Sequence, residues 1–251
     1  MKICHCFIGL LRCIHKTAEH LKSILLYTEH EYDIICVTWD SEDTSLFETI
    51  FPGCKIFKIP TIQQKENKEF EDWQEGLQLH ISLRRSEEEG WPYDGNSGKF
   101  HYYRQLYLLR KASDILSSLQ EKNNYDIMSR LRTDILIHSL SPIYNVYELI
   151  LQAPKNHIYF ANQHRQSIKK DGEGCPDQFY IGKPATIIFA LKALDYTKKY
   201  KITYTEMSTK WFSEPKVEEN IIQPESILYY FLQGEGYSIQ FIPSQIEIVR
   251  C

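Results

Sequence analysis

The chain opens with a nearly continuous apolar strand, a segment with helical spacing and a second apolar strand, and few folds accommodate that order. Residues 2–9 (Lys-Ile-Cys-His-Cys-Phe-Ile-Gly) predict a strand closed by Gly9. Residues 17–28 set Ala18, Leu21, Ile24 and Leu25 at helical spacing, and residues 32–38 predict a second strand. Strands that are apolar on both sides suit the middle of a parallel sheet, and parallel pairing requires a crossover such as the intervening helix. The opening is therefore a βαβ unit.

The alternation continues. Residues 44–51 predict a short helix, Pro52-Gly53 a turn, 55–59 a third strand stopped by Pro60, and 65–85 a polar helix. Residues 86–98 carry Glu87, Glu88, Glu89, Gly90, Pro92 and Gly95 and predict a loop, either a lid or other functional loop or a solvated insertion. A helix over 99–120 runs without a boundary into an apolar strand over 125–137. In the second half, strands are predicted at 158–161 and 177–182, separated by a polar connection over 162–175. Helices follow at 185–200 behind Pro184 and from Pro224 to Gln233, ended by Gly234 and Gly236, and strands at 237–243 and 245–249 close the chain. The fold class is α/β, with a Rossmann-type, mostly parallel central sheet flanked by helices in a single domain.

At 251 residues and 43% hydrophobic content the chain can bury a sizeable core. A formal charge of -4 gives no electrostatic footprint for nucleic acid. Seven cysteines, an odd number without regular pairing spacing, point to a reduced cytoplasmic protein. The N-terminal apolar run is broken by His5 and followed by Arg12, His15 and Lys16, which is unlike a signal peptide. No stretch is long and apolar enough to span a bilayer, so any membrane association is peripheral. Cys4-His5-Cys6 with Cys13 and His15 has the atoms of a zinc site. On a strand, however, Cys4 and Cys6 share one face and His5 takes the other, which does not make a tetrahedral cage. A Gly-x-Ser-x-Gly elbow, a P-loop and a Gly-x-Gly-x-x-Gly turn are all missing.

The chemistry concentrates in residues 125–137, where Arg130, Arg132 and Asp134 interrupt an otherwise apolar strand. A guanidinium pair can grip a diphosphate, and a carboxylate at the strand's end can hold a divalent cation that bridges the same phosphates. The plain alternative is that the arginines face solvent and Asp134 pairs with one of them.

Gly9-Leu10-Leu11-Arg12, Thr38-Trp39-Asp40, the Arg-x-Arg-x-Asp core of 125–137, Asp177-Gln178-Phe179-Tyr180-Ile181-Gly182 and Pro224-Glu225-Ser226 occur in an order that resembles surface-polysaccharide glycosyltransferases. These are GT-A-type enzymes of bacteria and large DNA viruses, including relatives of the lipopolysaccharide-synthesis transferases. The resemblance implies a GT-A-like fold in which residues 1–137 bind a nucleoside-diphosphate sugar, a UDP-sugar being favoured. Residues 138–251 would then receive a glycan or polysaccharide acceptor, for hexosyl or deoxyhexosyl transfer. It places Gly9, Arg12, Thr38, Trp39, Asp40, Arg130 and Arg132 at the donor, Asp134 at Mn²⁺ or Mg²⁺, and Asp177 as the base that takes the acceptor's proton. Trp39 can instead be a core aromatic, Asp40 a helix cap and Asp177 a turn cap. Arg132-Thr133-Asp134 stands where the family commonly has Asp-x-Asp, so the first carboxylate is replaced, and the arginines can supply the positive charge in the metal's stead. The other class of function is a non-catalytic carbohydrate-binding or scaffolding module that keeps the sheet.

Overall fold

The computed structural model describes residues 1–26, 29–63, 67–77, 95–138, 143–163, 178–196, 228 and 231–249. β1 (Lys2–Ile8), α1 (Ile14–Leu25) and β2 (Glu31–Trp39) form the expected βαβ unit, with β1 and β2 parallel. Its helix starts earlier than the spacing predicts, at Ile14, because Cys13 adopts a left-handed conformation (φ 55°) that turns the chain into the helix. α2 (Ser45–Ile50) and β3 (Lys55–Ile59) extend the sheet on the same side, again parallel.

The strand order β3-β2-β1-β4-β7-β6-β8-β5 makes one eight-stranded sheet. After α3 (Lys68–Leu77) and α4 (Gly95–Asn123), the chain returns to the other side of β1 and lays down β4 (Ile127–Leu131), parallel to it. The apolar run over 125–137 is therefore two strands. The chain leaves β4 at Arg132 and forms β5 (Ile135–His138) at the far edge, where its one partner among the described residues is β8 (Ser238–Ile248), antiparallel to it. α5 (Ile143–Gln152), which the sequence pattern had not marked, precedes β6 (His157–Gln163). β7 (Phe179–Gly182) pairs antiparallel with both β4 and β6, while β6 and β8 run parallel.

The predicted helix over 185–200 is α6 (Pro184–Ala190), with its proline in the first turn, followed by α7 (Ala193–Tyr196). The two closing strands are one, β8. The predicted loop over 86–98 lies largely outside the described residues, and its end belongs to α4.

Alternation along β1 sends Cys4, Cys6 and Ile8 to one face and Ile3 and Phe7 to the other. The first face packs against α3, α4, α6 and α7, through residues such as Trp73, Tyr103, Leu116 and Ile187. The second packs against α1, α2 and α5, through Leu21, Phe47 and Tyr147. His5, fully buried on the second face, lies with Nδ1 2.7 Å from Ser129 Oγ and Nε2 3.2 Å from the Tyr147 hydroxyl, which accounts for it as a core residue. Cys4, Cys6, Cys36 and Cys54 are free thiols, whereas Cys13 is disulfide-bonded, which departs from the fully reduced set expected. Among the described residues no helix is long and apolar enough to cross a membrane.

Candidate active site

Strand order locates a crevice. From β1 the chain builds outward through β2 and β3, then restarts on the opposite side with β4, so the connections leaving β1 and β4 diverge at their carboxyl ends. Ligands of open α/β sheets bind at such a switch point. Here it opens into a cleft of about 400 Å³ lined by the loop after β1, the ends of β2 and β4 and one face of α4.

The first wall is the loop Gly9 to Cys13, and its shape is held by side chains from three places. Gly9 has φ +133°, a conformation that L side chains rarely adopt, and its carbonyl accepts a 2.7 Å hydrogen bond from Thr38 Oγ1. Thr133 Oγ1 lies 2.8 and 3.0 Å from the carbonyls of Leu10 and Arg12, and Leu11 N donates to Glu42 at 3.0 Å. The loop thus hangs from the turn after β4, and that suspension sets Arg12 at the cleft.

The floor is β4 and the turn behind it. Arg130, 2% exposed, faces Tyr180 across the β4–β7 ladder with its guanidinium carbon 5.7 Å from the ring centroid. Arg132 forms a two-pronged pair with Asp134, Nε to Oδ1 at 2.8 Å and Nη2 to Oδ2 at 2.6 Å.

The roof is α4. His101, Arg104, Gln105, Leu108 and Leu109 recur at helical spacing and all line the cleft. Arg104 lies 4.9 Å over the Trp39 ring, and its Nε is buried with no hydrogen-bond partner among the described residues. Trp39, 4% exposed, also stacks on Tyr107. Burial first, and then the charges of Arg104, Arg12 and Arg132, hold the His101 imidazole below its usual range, so it is neutral at pH 7. Among the described residues that line the cleft, four arginines stand with two carboxylates, Glu42 and Asp134, an excess of two positive charges.

Of the residues expected at the donor, Gly9, Arg12, Trp39, Arg130 and Arg132 come together in this cleft, with Asp134, expected at a metal ion, beside them. Thr38 and Asp40 do not line it. Thr38 is fully buried beneath the loop, where it holds the Gly9 carbonyl. Asp40 is exposed and accepts from Thr61 N at 3.0 Å and Thr61 Oγ1 at 2.6 Å, bonds that lower its carboxyl below the usual range. Asp177 lies outside the described residues. Sequence reasoning missed Glu42, Thr133, His101 and Arg104. His101, Arg104 and Gln105 share one face of α4 at i, i+3 and i+4, but polar residues run along the whole helix, so spacing alone did not single that face out.

A divalent cation does not fit the described residues. Both oxygens of Asp134 are taken by Arg132, Glu42 is engaged by the loop backbone, and no three His, Cys, Asp or Glu side chains come together among the described residues.

No protein-family model matches the chain, and no curated protein matches it. Solved structures similar to it include mouse xyloside xylosyltransferase 1 in its apo form, at 9% identity over 96% of this chain and 84% of that one, with a TM-score of 0.45. The apo glycosyltransferase GlyE of Streptococcus pneumoniae matches at 11% identity over 94% of this chain and 44% of its own, with a TM-score of 0.44. The galactosyltransferase LgtC, in complex with donor and acceptor sugar analogs, matches at 11% identity over 96% and 73%, with a TM-score of 0.39. At these identities and scores the likenesses are distant.

Proposed function

We propose that the protein is a glycosyltransferase that takes a sugar from a nucleoside-diphosphate sugar, a UDP-sugar being favoured, and passes it to a glycan acceptor. The observation that carries this reading is the convergence of Arg12, Arg104, Arg130 and Arg132 on one cleft at the sheet's switch point. Glycosyl transfer to a hydroxyl requires the leaving diphosphate to be stabilised as its bond to the anomeric carbon breaks, and fixed guanidinium groups do this without reorganising. In this reading residues 1–137 supply the donor site and 138–251 the acceptor side. Asp177 is the proposed base for the acceptor hydroxyl; its chain neighbour Gln178 accepts a 3.0 Å hydrogen bond from Arg132 N at the cleft floor.

The test is a panel of UDP-, GDP-, dTDP- and CMP-linked sugars, followed by thermal shift and by detection of released nucleotide and transferred sugar. One diphosphate class is expected to stabilise the protein, with the monophosphate-linked CMP-sugar weaker. No response to any donor would remove the reading. A second reading, a binding module without turnover, is favoured by the closed Arg132–Asp134 pair, and donor binding without sugar transfer would select it.

A further inference from the structure

The cleft's charges are arranged for an anion without a bridging cation. Asp134, the acid placed where a metal ligand is expected, presents both oxygens to Arg132. Arg12, on the loop after β1, and Arg104, on α4, both line the cleft, and neither makes an ion pair among the described residues. Arg104 is held by the Trp39 ring rather than by an acid, which leaves its hydrogen-bonding edge available. A diphosphate carries the charge that the excess of two guanidinium groups balances.

We infer that the cleft binds a diphosphate through guanidinium groups alone, with Asp134 acting as the internal counter-ion of Arg132 in place of a metal ligand. The inference rests on the proposed function in taking the ligand to be a diphosphate. Binding exchanges partners: phosphate oxygens compete with the Asp134 carboxylate for the Arg132 fork, so the acid opposes binding rather than assisting it. A metal-ligand role has the opposite sign, because losing the carboxylate would then lose the ligand.

The test is calorimetric titration of the full chain with inorganic pyrophosphate and with UDP, each in EDTA and in Mn²⁺. Wild type is expected to bind both ligands in EDTA. Arg104→Ala and Arg12→Ala are each expected to weaken binding by about tenfold or more, the loss of one charge-assisted contact. Arg12 is exposed, so its replacement reads binding even if Arg104→Ala disturbs α4. Asp134→Asn is expected to bind as tightly as wild type or more tightly. Binding that appears only with Mn²⁺ and vanishes in Asp134→Asn would overturn the inference while leaving the nucleotide-sugar reading intact. Absence of binding in every buffer would overturn both. Tight binding in EDTA without turnover of any sugar nucleotide would uphold the arginine site and remove the transferase.

Discussion

Arg132 closes on Asp134 across a single intervening residue, and the two partners are unequally buried: the carboxylate side chain is 11% exposed and the guanidinium 32%. The cost of breaking the pair should therefore depend on which partner is removed. Arg132→Ala strands a charge that water reaches poorly and should cost about 2 kcal/mol, discounted from the fully buried case. Asp134→Asn leaves the better-solvated partner and should cost about 1 kcal/mol or less. Urea unfolding of both variants checks the order; equal losses would mean that burial does not govern this pair.

Thr133 ties the turn after β4 to the loop after β1 through the carbonyls of Leu10 and Arg12. Thr133→Val keeps the shape and removes the donor, so it should destabilise by about 1 to 2 kcal/mol. Because the same bonds set Arg12, diphosphate affinity should fall with it. A titration unchanged from wild type would show that the loop holds its form without Thr133.

Gly9 presents a different kind of constraint. A Cβ there meets nothing within 4 Å, yet φ is +133°. Gly9→Ala should cost about 1 to 3 kcal/mol from backbone conformation alone. Chemical unfolding measures it, and a neutral result would mean that the loop relaxes to negative φ.

The position of Arg104 over Trp39 supplies an optical readout. An anion that draws the guanidinium toward itself changes the cation's field on the indole, so diphosphate titration should alter intrinsic fluorescence. Trp39→Phe should abolish the change while other tryptophans keep emitting. A full signal in that variant would place the responding indole elsewhere.

Burial lowers the His5 imidazole from 6.5 to about 4 in the folded chain. The unfolded chain thus takes up this proton first, and stability should be level above about pH 6.5 and decline as the pH falls toward 4. The full decline attributable to His5 is about 3 kcal/mol. His101 is shifted in the same direction, so the contribution of His5 is the difference between wild type and His5→Gln. Urea midpoints at pH 7, 5.5 and 4.5 test it; parallel curves for the two proteins would refute the assignment.

The first half of the sheet was readable because central parallel strands are apolar on both faces, and β1 and β2 announce themselves as such runs, while β3, at the edge, is marked by Pro52-Gly53 before it and Pro60 after it. The division of 125–137 was not. An apolar strand reads the same whether it continues in place or leaves for another edge, and β5 finds its partner 109 residues away, where His138 meets Glu247. Thr38, Trp39 and Asp40 show the same limit at the site. All three end β2 or follow it, but alternation turns Trp39 to the cleft and Thr38 beneath the loop, and Asp40 is captured by Thr61.

From the sequence alone came the α/β class, the βαβ opening and the cluster of Arg130, Arg132 and Asp134 on an apolar run, since periodicity and side-chain type are local properties, while Gly9 and Arg12 entered through the family resemblance. Tertiary structure alone decided that Arg104 joins them from a helix that begins more than 80 residues after β1, and which of the two arginines Asp134 answers. Those outcomes depend on which elements pack across the switch point and which charges then meet at hydrogen-bond distance, and neither is encoded in any single stretch of chain.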